Sequence, residues 1–186
     1  NIIKELSIVD EAVFRAKDIT GKLLKSARKN VPKLIKCNVN QLIDDVVDGL
    51  IEKEFKVANN ELIKNYDARL PEILLDADQI RQVLQNLINN AGDAIDGPGK
   101  ITLTTQARDE KVQMIVSDSG KGMTHEVMAK IFHPFFTTKE VGKGTGLGLA
   151  ISLSIIESMG GTIDVQSMPE SGTSFIISQP INYKEV

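Results

Sequence analysis

Cysteine, histidine and tryptophan are almost missing from this chain of 186 residues, which has one cysteine, two histidines and no tryptophan. The single thiol, Cys37, excludes an internal disulfide framework and a zinc site built from several cysteines. His125 and His133 are too few for a histidine-rich metal centre. No apolar run approaches the roughly 20 residues that cross a bilayer, and no signal-peptide pattern is present. Because the chain begins with Asn1, we expect it to be a piece of a longer protein.

The overall composition is that of a soluble globular chain, but the charge is unevenly distributed. Residues 1–37 carry nine Lys/Arg and four Asp/Glu, whereas residues 38–186 carry thirteen and twenty-one. Opposite net charges predict two structural units. The basic unit has a single aromatic residue, Phe14. It therefore favours a solvated helix face over contacts with nucleic acid.

The first unit has the repeat of one long helix over residues 2–29. Its apolar positions alternate steps of four and three, which is the seam of a coiled coil or helical bundle. They are Ile2, Leu6, Val9, Val13, Ala16, Thr20, Leu23 and Ala27. Pro32 ends the pattern. The seam favours a dimeric bundle formed by residues 1–31, and packing against the chain's own globular part is the alternative; residues 32–37 are assigned to a linker.

The second unit, residues 38–186, mixes helical and strand patterns. Helices are predicted at 40–55, 78–95, 125–131 and 146–159, and strands near 61–66, 72–75, 100–107, 111–117, 162–167 and 173–179. Asp76 or Asp78 is the expected N-cap of the second helix. Gly160-Gly161 is the expected end of the last one. The mixed order predicts an α+β fold in which one sheet carries helices on one face, a two-layer α/β sandwich.

Three stretches have the residue types of a chemical site, and the first is QVLQNLINNAGDAI over residues 82–95. Asn86, Asn90 and Asp93 stand at i, i+4 and i+7 and share one helix face. Plain solvent exposure would explain a polar face, but asparagine is a mediocre helix former and recurs here. An amide oxygen is a suitable Mg²⁺ ligand where phosphates supply the negative charge.

The second stretch is DSGKGM, from Asp118 to Met123, at the end of a predicted strand. Asp118 can accept a hydrogen bond from an exocyclic amine such as that of adenine. Gly120 and Gly122 allow the backbone to approach a flat ring closely. The alternative for this stretch is an ordinary tight turn.

The third stretch, FHPFFTTKEVGKGTGLGLAIS over residues 132–152, leads into a helix through four glycines at alternate positions. Backbone N–H groups at a helix N-terminus bind anions. The spacing is neither that of a dinucleotide fold nor that of a P-loop. With Phe132, Phe135 and Phe136 as anchors, it predicts a mobile phosphate-covering lid, and a flexible surface loop is the alternative.

In this order and spacing, the three stretches resemble the N box, first glycine box, F box and second glycine box of sensor histidine kinases. These kinases share the Bergerat-type ATP-binding superfamily with gyrase B subunits, MutL proteins and heat-shock chaperone ATPases. Residues 172–175, Gly-Thr-Ser-Phe, resemble the last glycine motif. The FFTTK and GKGTGLGLAI forms are similar to the nitrogen-regulation-type kinases. Residues 1–31 resemble the second helix of the dimerisation and phosphotransfer domain.

The resemblance implies a function for each matching residue. Asn90 would bind Mg²⁺ with Asn86 nearby, Asp118 would hold the adenine amine, and Lys139 would contact the γ-phosphate. Asn86 and Lys139 are the catalytic candidates. Many relatives have a lysine where this chain has Asp93, which could reach water or metal instead of phosphate. The other residues implied around ATP are Gly120, Gly122, Met123, Thr138, Gly142, Lys143, Gly144, Thr145, Gly146, Leu147 and Gly148.

Asn86 also bears on the type of reaction. In the gyrase and chaperone branch a glutamate at this place activates water, and an amide cannot take a proton near pH 7. We therefore expect transfer from MgATP to a histidine outside this chain, on a phosphoacceptor helix that the chain lacks. His125 and His133 are interpreted as surface or capping residues.

Two classes of function remain open from the sequence. The first is a cytoplasmic histidine kinase core whose phosphoryl group passes to an aspartate of a response regulator. The second is a nucleotide-switched clamp or binding module of the same superfamily. Asn86 and the FFTTK segment favour the kinase.

Overall fold

The computed structural model of the chain describes residues 31–48, 60–140 and 144–182. The predicted helix over 2–29, the predicted helix 40–55 beyond residue 48, and the candidate residues Gly142 and Lys143 lie outside these ranges. None of the helices in the described ranges is both long enough and apolar enough to cross a bilayer.

Four helices lie in the described part of the chain: α1 (Val39–Val46), α2 (Ala77–Ala94), α3 (His125–Met128) and α4 (Gly148–Ser158). Asn38 caps α1, and Asp76 caps α2 by accepting a 3.1 Å hydrogen bond from the N–H of Gln79, so Asp76 is the cap and Asp78 is not. The predicted helix 125–131 is shorter, because it ends at Met128 and Ala129 is its C-cap. The predicted start of the last helix at 146 is two residues early, since Gly146 has a φ of 65°.

Within the described ranges, the main sheet has five strands: β2 (Glu61–Tyr66), β4 (Lys100–Arg108), β5 (Lys111–Asp118), β6 (Thr162–Ser167) and β7 (Thr173–Pro180). Their order is β2-β4-β5-β7-β6. The β2–β4 pair is parallel and the other pairs are antiparallel. The predicted hairpin of β4 and β5 is confirmed, with Arg108 paired to Lys111 at its turn.

A second, two-stranded sheet was not expected. Strand β1 (Ile35–Cys37) pairs antiparallel with β3 (Ile73–Leu75), and Cys37 stands opposite Ile73. The prediction of one sheet was therefore wrong for β3, and part of the predicted linker 32–37 is a strand. Three residues are too few to show the alternation from which strands are predicted.

The core lies between one face of the main sheet and the helices. Alternate residues of the two central hairpin strands are buried, which is the period-2 pattern of a sheet with one covered face. They are Ile101, Leu103 and Thr105 of β4 and Val112, Met114 and Val116 of β5. Helix α2 buries Ile80, Val83, Leu84, Leu87, Ile88 and Ala91 against this face. The predicted two-layer α+β sandwich is confirmed, and the polar side of α2 is left for a site.

Candidate functional site

The polar side of α2 meets a lysine from the segment between α3 and α4. Nζ of Lys139 lies 3.2 Å from Oδ1 of Asn90 and 2.5 Å from Oδ2 of Asp93. The predicted shared face of Asn90 and Asp93 is therefore present. Lys139 contacts the helix that carries the expected metal ligand, so two distant parts of the sequence meet here.

Asn86, one turn earlier on α2, contacts the start of α4. Its Nδ2 donates a 3.0 Å hydrogen bond to Oγ of the buried Ser152. Its amide oxygen fills the space that a β-carbon would need at Gly148. The glycine at position 148 is therefore required by the close approach of α2 and α4, and the first turn of α4 begins beside the polar side of α2.

Among the residues that the structure describes, no side-chain hydrogen bond caps the N-terminus of α4. Its N-cap residue is the buried Leu147, which makes no side-chain capping bond. Thr145 Oγ1 accepts a 3.4 Å hydrogen bond from the N–H of Leu147 and so stabilises the turn before the helix. The backbone N–H groups at the start of this eleven-residue helix are of the kind that binds anions.

Asp118 is held by the backbone at the end of β5. Its Oδ1 accepts hydrogen bonds from the N–H groups of Gly120 at 2.8 Å and Thr173 at 3.3 Å. Burial raises the pKa of the Asp118 carboxyl, and these two bonds lower that pKa in part. Both bonds end on Oδ1, and neither of them uses Oδ2.

The glycines near Asp118 are packed against protein backbone. A β-carbon at Gly120 would overlap the carbonyl of Ala94 at the end of α2, and one at Gly122 would overlap the carbonyl of Met168. Gly122 also has a φ of 62°, which other residues adopt rarely. Both positions therefore require glycine because the chain packs tightly there, whereas the sequence predicted glycine for the close approach of a ring. This packing brings together the end of α2, the turn after β5 and the β6–β7 connection.

The remaining predicted residues that the structure describes lie between β5 and α3 and in the segment that leads into α4. The N–H of Met123 donates a 2.8 Å hydrogen bond to Oγ of Ser167, while Thr138 is exposed. Gly144 lies close to Lys139, since a β-carbon there would be 3.3 Å from the lysine Cβ. Gly146, at positive φ, accepts a 2.9 Å hydrogen bond from the N–H of Phe135 through its carbonyl.

The expectation that Phe135 anchors the lid segment is wrong. Its side chain is 61% exposed, and its φ of 68° turns the chain in a way unusual for an aromatic residue. Phe132 and Phe136 are partly buried against the core, as predicted. Both histidines are exposed, and Thr124, not His125, caps α3.

Two contributors to the site were not assigned from the sequence. Thr173 orients Asp118 through its backbone, and Ser152 receives Asn86. The motif over residues 172–175 includes Thr173, but it does not indicate that Thr173 contacts Asp118. Ser152 follows Gly148 by one helical turn, so the shared face of α4 could have indicated the second.

Comparison with known proteins agrees with this geometry. Residues 75–182 match the family described as histidine kinase-, DNA gyrase B-, and HSP90-like ATPase. The sensor histidine kinase ZraS of Escherichia coli K12 is 36% identical over 168 residues, covering 90% of this chain and 36% of ZraS. The chain thus spans about a third of the length of the curated relatives it matches.

Solved structures give the same result. The catalytic domain of the histidine kinase ThkA is 37% identical with a TM-score of 0.72, covering 80% of this chain and 96% of that domain. Full-length ShkA in complex with AMPPNP is 28% identical with a TM-score of 0.80, covering 91% of this chain and 36% of ShkA. ThkA in complex with the response regulator TrrA is 31% identical with a TM-score of 0.78, covering 94% of this chain and 50% of that ThkA chain.

The fold and the site therefore define an ATP-binding domain, and the chain belongs to the histidine kinase-, DNA gyrase B-, and HSP90-like ATPase family. Within this family it has the catalytic domain of the sensor histidine kinases.

Proposed function

We propose that the chain transfers the γ-phosphoryl group of MgATP to a protein histidine other than His125 and His133. The observation that supports the proposal is the hydrogen bond from Nζ of Lys139 to Oδ1 of Asn90, because it brings the expected γ-phosphate contact next to the expected Mg²⁺ ligand. The AMPPNP bound to ShkA supports ATP as the nucleotide. A cytoplasmic location follows from the need for ATP.

The donor atoms suit Mg²⁺ only together with a nucleotide. The described ranges contain no group of three or more His, Cys, Asp or Glu side chains that could hold a metal. Asn90 would supply an amide oxygen and the phosphates most of the charge. When bound, the metal neutralises and orients the β- and γ-phosphates. Asp118 would fix the adenine through its amine, and the uncapped start of α4 would receive the phosphates.

Asn86 supports transfer over hydrolysis. Its amide carries no basic lone pair at neutral pH, and it is already bonded to Ser152. Water at the γ-phosphate therefore gains no general base from this residue. In a neutral imidazole, the nitrogen without a proton forms the new bond to phosphorus with its own lone pair as the bond to the ADP oxygen breaks, and the proton on the other nitrogen then leaves to solvent.

The partners follow from the relatives. We propose a response regulator receiver domain as the final acceptor, in line with the complex of ThkA with TrrA. We also propose that residues 1–31 form a homodimer in the longer protein and lie next to its phosphoacceptor helix. Those residues are outside the described ranges.

Labelled ATP tests the proposed reaction. The chain should bind ATP, fail to label itself, and weakly label an added acceptor-bearing dimerisation domain, because most of the positioning advantage is lost between separate chains. The label should be acid-labile and alkali-stable, as a phosphoramidate is. An acceptor domain without its histidine is the control.

Two results would contradict the proposal. Stable self-labelling on serine or threonine would overturn the histidine kinase. Rapid phosphate release without any acceptor protein would instead support the nucleotide-switched clamp and would require a water-activating group other than Asn86.

A further inference from the structure

Helix α2 presents two oxygen atoms of different chemistry to one cation. Oδ1 of the neutral Asn90 and Oδ2 of the charged Asp93 both lie within 3.2 Å of Nζ of Lys139. The side chains of Lys139 and Asp93 are 34% and 58% exposed, so solvent and ions can reach the pair. Amide and carboxylate oxygens are also the ligands that Mg²⁺ takes in proteins.

We propose that Asn90 and Asp93 form one cation site, which Lys139 fills in the nucleotide-free protein and Mg²⁺ fills with nucleotide, so that Asp93 sets how strongly nucleotide affinity depends on magnesium. The inference rests on the proposed function, because it concerns the same site. Asp93 acts on the metal directly or through one of the waters that Mg²⁺ retains when it has few protein ligands.

The negative charge of Asp93 determines whether magnesium strengthens or weakens nucleotide binding through this residue. Without metal, the carboxylate repels the nucleotide phosphates, and the ammonium group of Lys139 offsets part of this repulsion. With metal, the carboxylate and the phosphates are both attracted to the same divalent ion. Asp93 therefore disfavours the metal-free nucleotide and favours the metal-bound one, which is a coupling between two ligands of one site. Asn90 is neutral and cannot discriminate in this way.

Lys139 has the opposite effect. An ammonium group and a divalent cation held on the same two oxygens would repel each other, so Lys139 is expected to move away when Mg²⁺ enters. In the absence of metal it can remain near the phosphates and favour their binding. Removing the ammonium group should therefore increase the dependence on magnesium, whereas removing the carboxylate should decrease it. Substitutions of Lys139 and of Asp93 should therefore change the magnesium dependence in opposite directions, although the two residues form one ion pair.

Calorimetry with ADP tests this directly, since ADP has no γ-phosphate for Lys139 to contact. The dissociation constant of ADP is measured in EDTA and in excess Mg²⁺. The magnesium dependence is the value in EDTA divided by the value in Mg²⁺. Asp93→Asn should lower this ratio at least about fivefold, mainly through tighter metal-free binding, and Lys139→Met should raise it by a similar factor. Asp93→Glu should keep the ratio within about twofold.

Asp164→Asn is the matched control, because Asp164 lies exposed on β6 and the substitution makes the same change in net charge. It should leave the ratio unchanged, and thermal unfolding checks that each variant is folded. If Asp93→Asn changes both constants by the same factor, Asp93 is only a surface charge and the inference is overturned. A lower ratio in Lys139→Met would show that the lysine does not compete with metal. If the unaltered chain binds ADP under neither condition, the proposed function itself fails.

Discussion

The side-chain amide of Asn86 occupies the space that a β-carbon at Gly148 would need. The same amide donates to Ser152, so Asn86 contacts α4 at its first residue and again one turn later. Helices α2 and α4 thus meet at this point through an amide and a glycine. The contact links the helix that carries the expected metal ligand to the helix whose N-terminus would receive phosphates.

Gly148→Ala should therefore damage both the fold and the site. Alanine in place of glycine normally stabilises a helix by about 1 kcal/mol. Here the new methyl group would displace Asn86, and overpacking of this kind costs about 1–3 kcal/mol. We expect a net loss of stability in urea unfolding and weaker ADP binding in calorimetry.

A double-mutant cycle isolates this contact. Asn86→Ala removes the amide, and in that background Gly148→Ala should cost little or stabilise, because the methyl group then has room. Ser154→Ala, at an exposed position of α4, is the control for a general change in the helix. If Gly148→Ala alone raises stability as in an ordinary helix, Asn86 does not pack against Gly148 in solution.

Asp118→Asn should weaken adenine nucleotides without unfolding the domain. Gly120 and Thr173 both donate to Oδ1, so an asparagine would orient its oxygen to them and its NH₂ group to the ligand. Two donors would then face each other at the adenine amine. Loss of one hydrogen bond to a charged group costs about 1.5–3 kcal/mol, roughly tenfold or more in affinity for ADP. An unchanged affinity would remove Asp118 from the site.

The same substitution should change the pH dependence of stability. Burial raises the pKa of Asp118 above its ordinary value of 3.8, so the folded state holds this proton more tightly than the unfolded state. The stability that protonation contributes is complete below 3.8 and is lost as the pH rises through the higher folded value. Relative to the unaltered protein, Asp118→Asn should therefore become more stable as the pH increases across this window. Urea unfolding at several pH values measures the difference, and a constant difference would contradict the shift.

The parts of the site that the sequence predicts are those fixed by local spacing. The helical period alone puts Asn90 and Asp93 on one face, and the glycines before α4 indicate its uncapped start. The Asp118–Thr173 hydrogen bond joins residues 55 positions apart, and only the packing of β5 beside β7 creates it. Phe135 is missed for a different reason, because an aromatic residue normally indicates burial and nothing local signals its positive φ.

The last prediction concerns a buried amide on β7. Gln179 is 1% exposed, and both polar atoms of its side chain are without a hydrogen-bond partner in the described part of the chain. The amide packs against Gly161, where a β-carbon would lie 2.5 Å from Nε2. A buried polar group without a partner costs about 1–3 kcal/mol. Gln179→Met keeps a similar shape without these polar atoms, so it should raise the free energy of unfolding by about 1–2 kcal/mol.

Gln113→Met is the matched control, because Gln113 donates to Ser178 at 3.2 Å and accepts from Gln106 at 2.7 Å. The control should lose about 0.5–1.5 kcal/mol, since it removes hydrogen bonds that are made. Urea unfolding of the two variants should therefore give changes of opposite sign, and a loss of stability in Gln179→Met would show that the amide is paired, for example with a buried water.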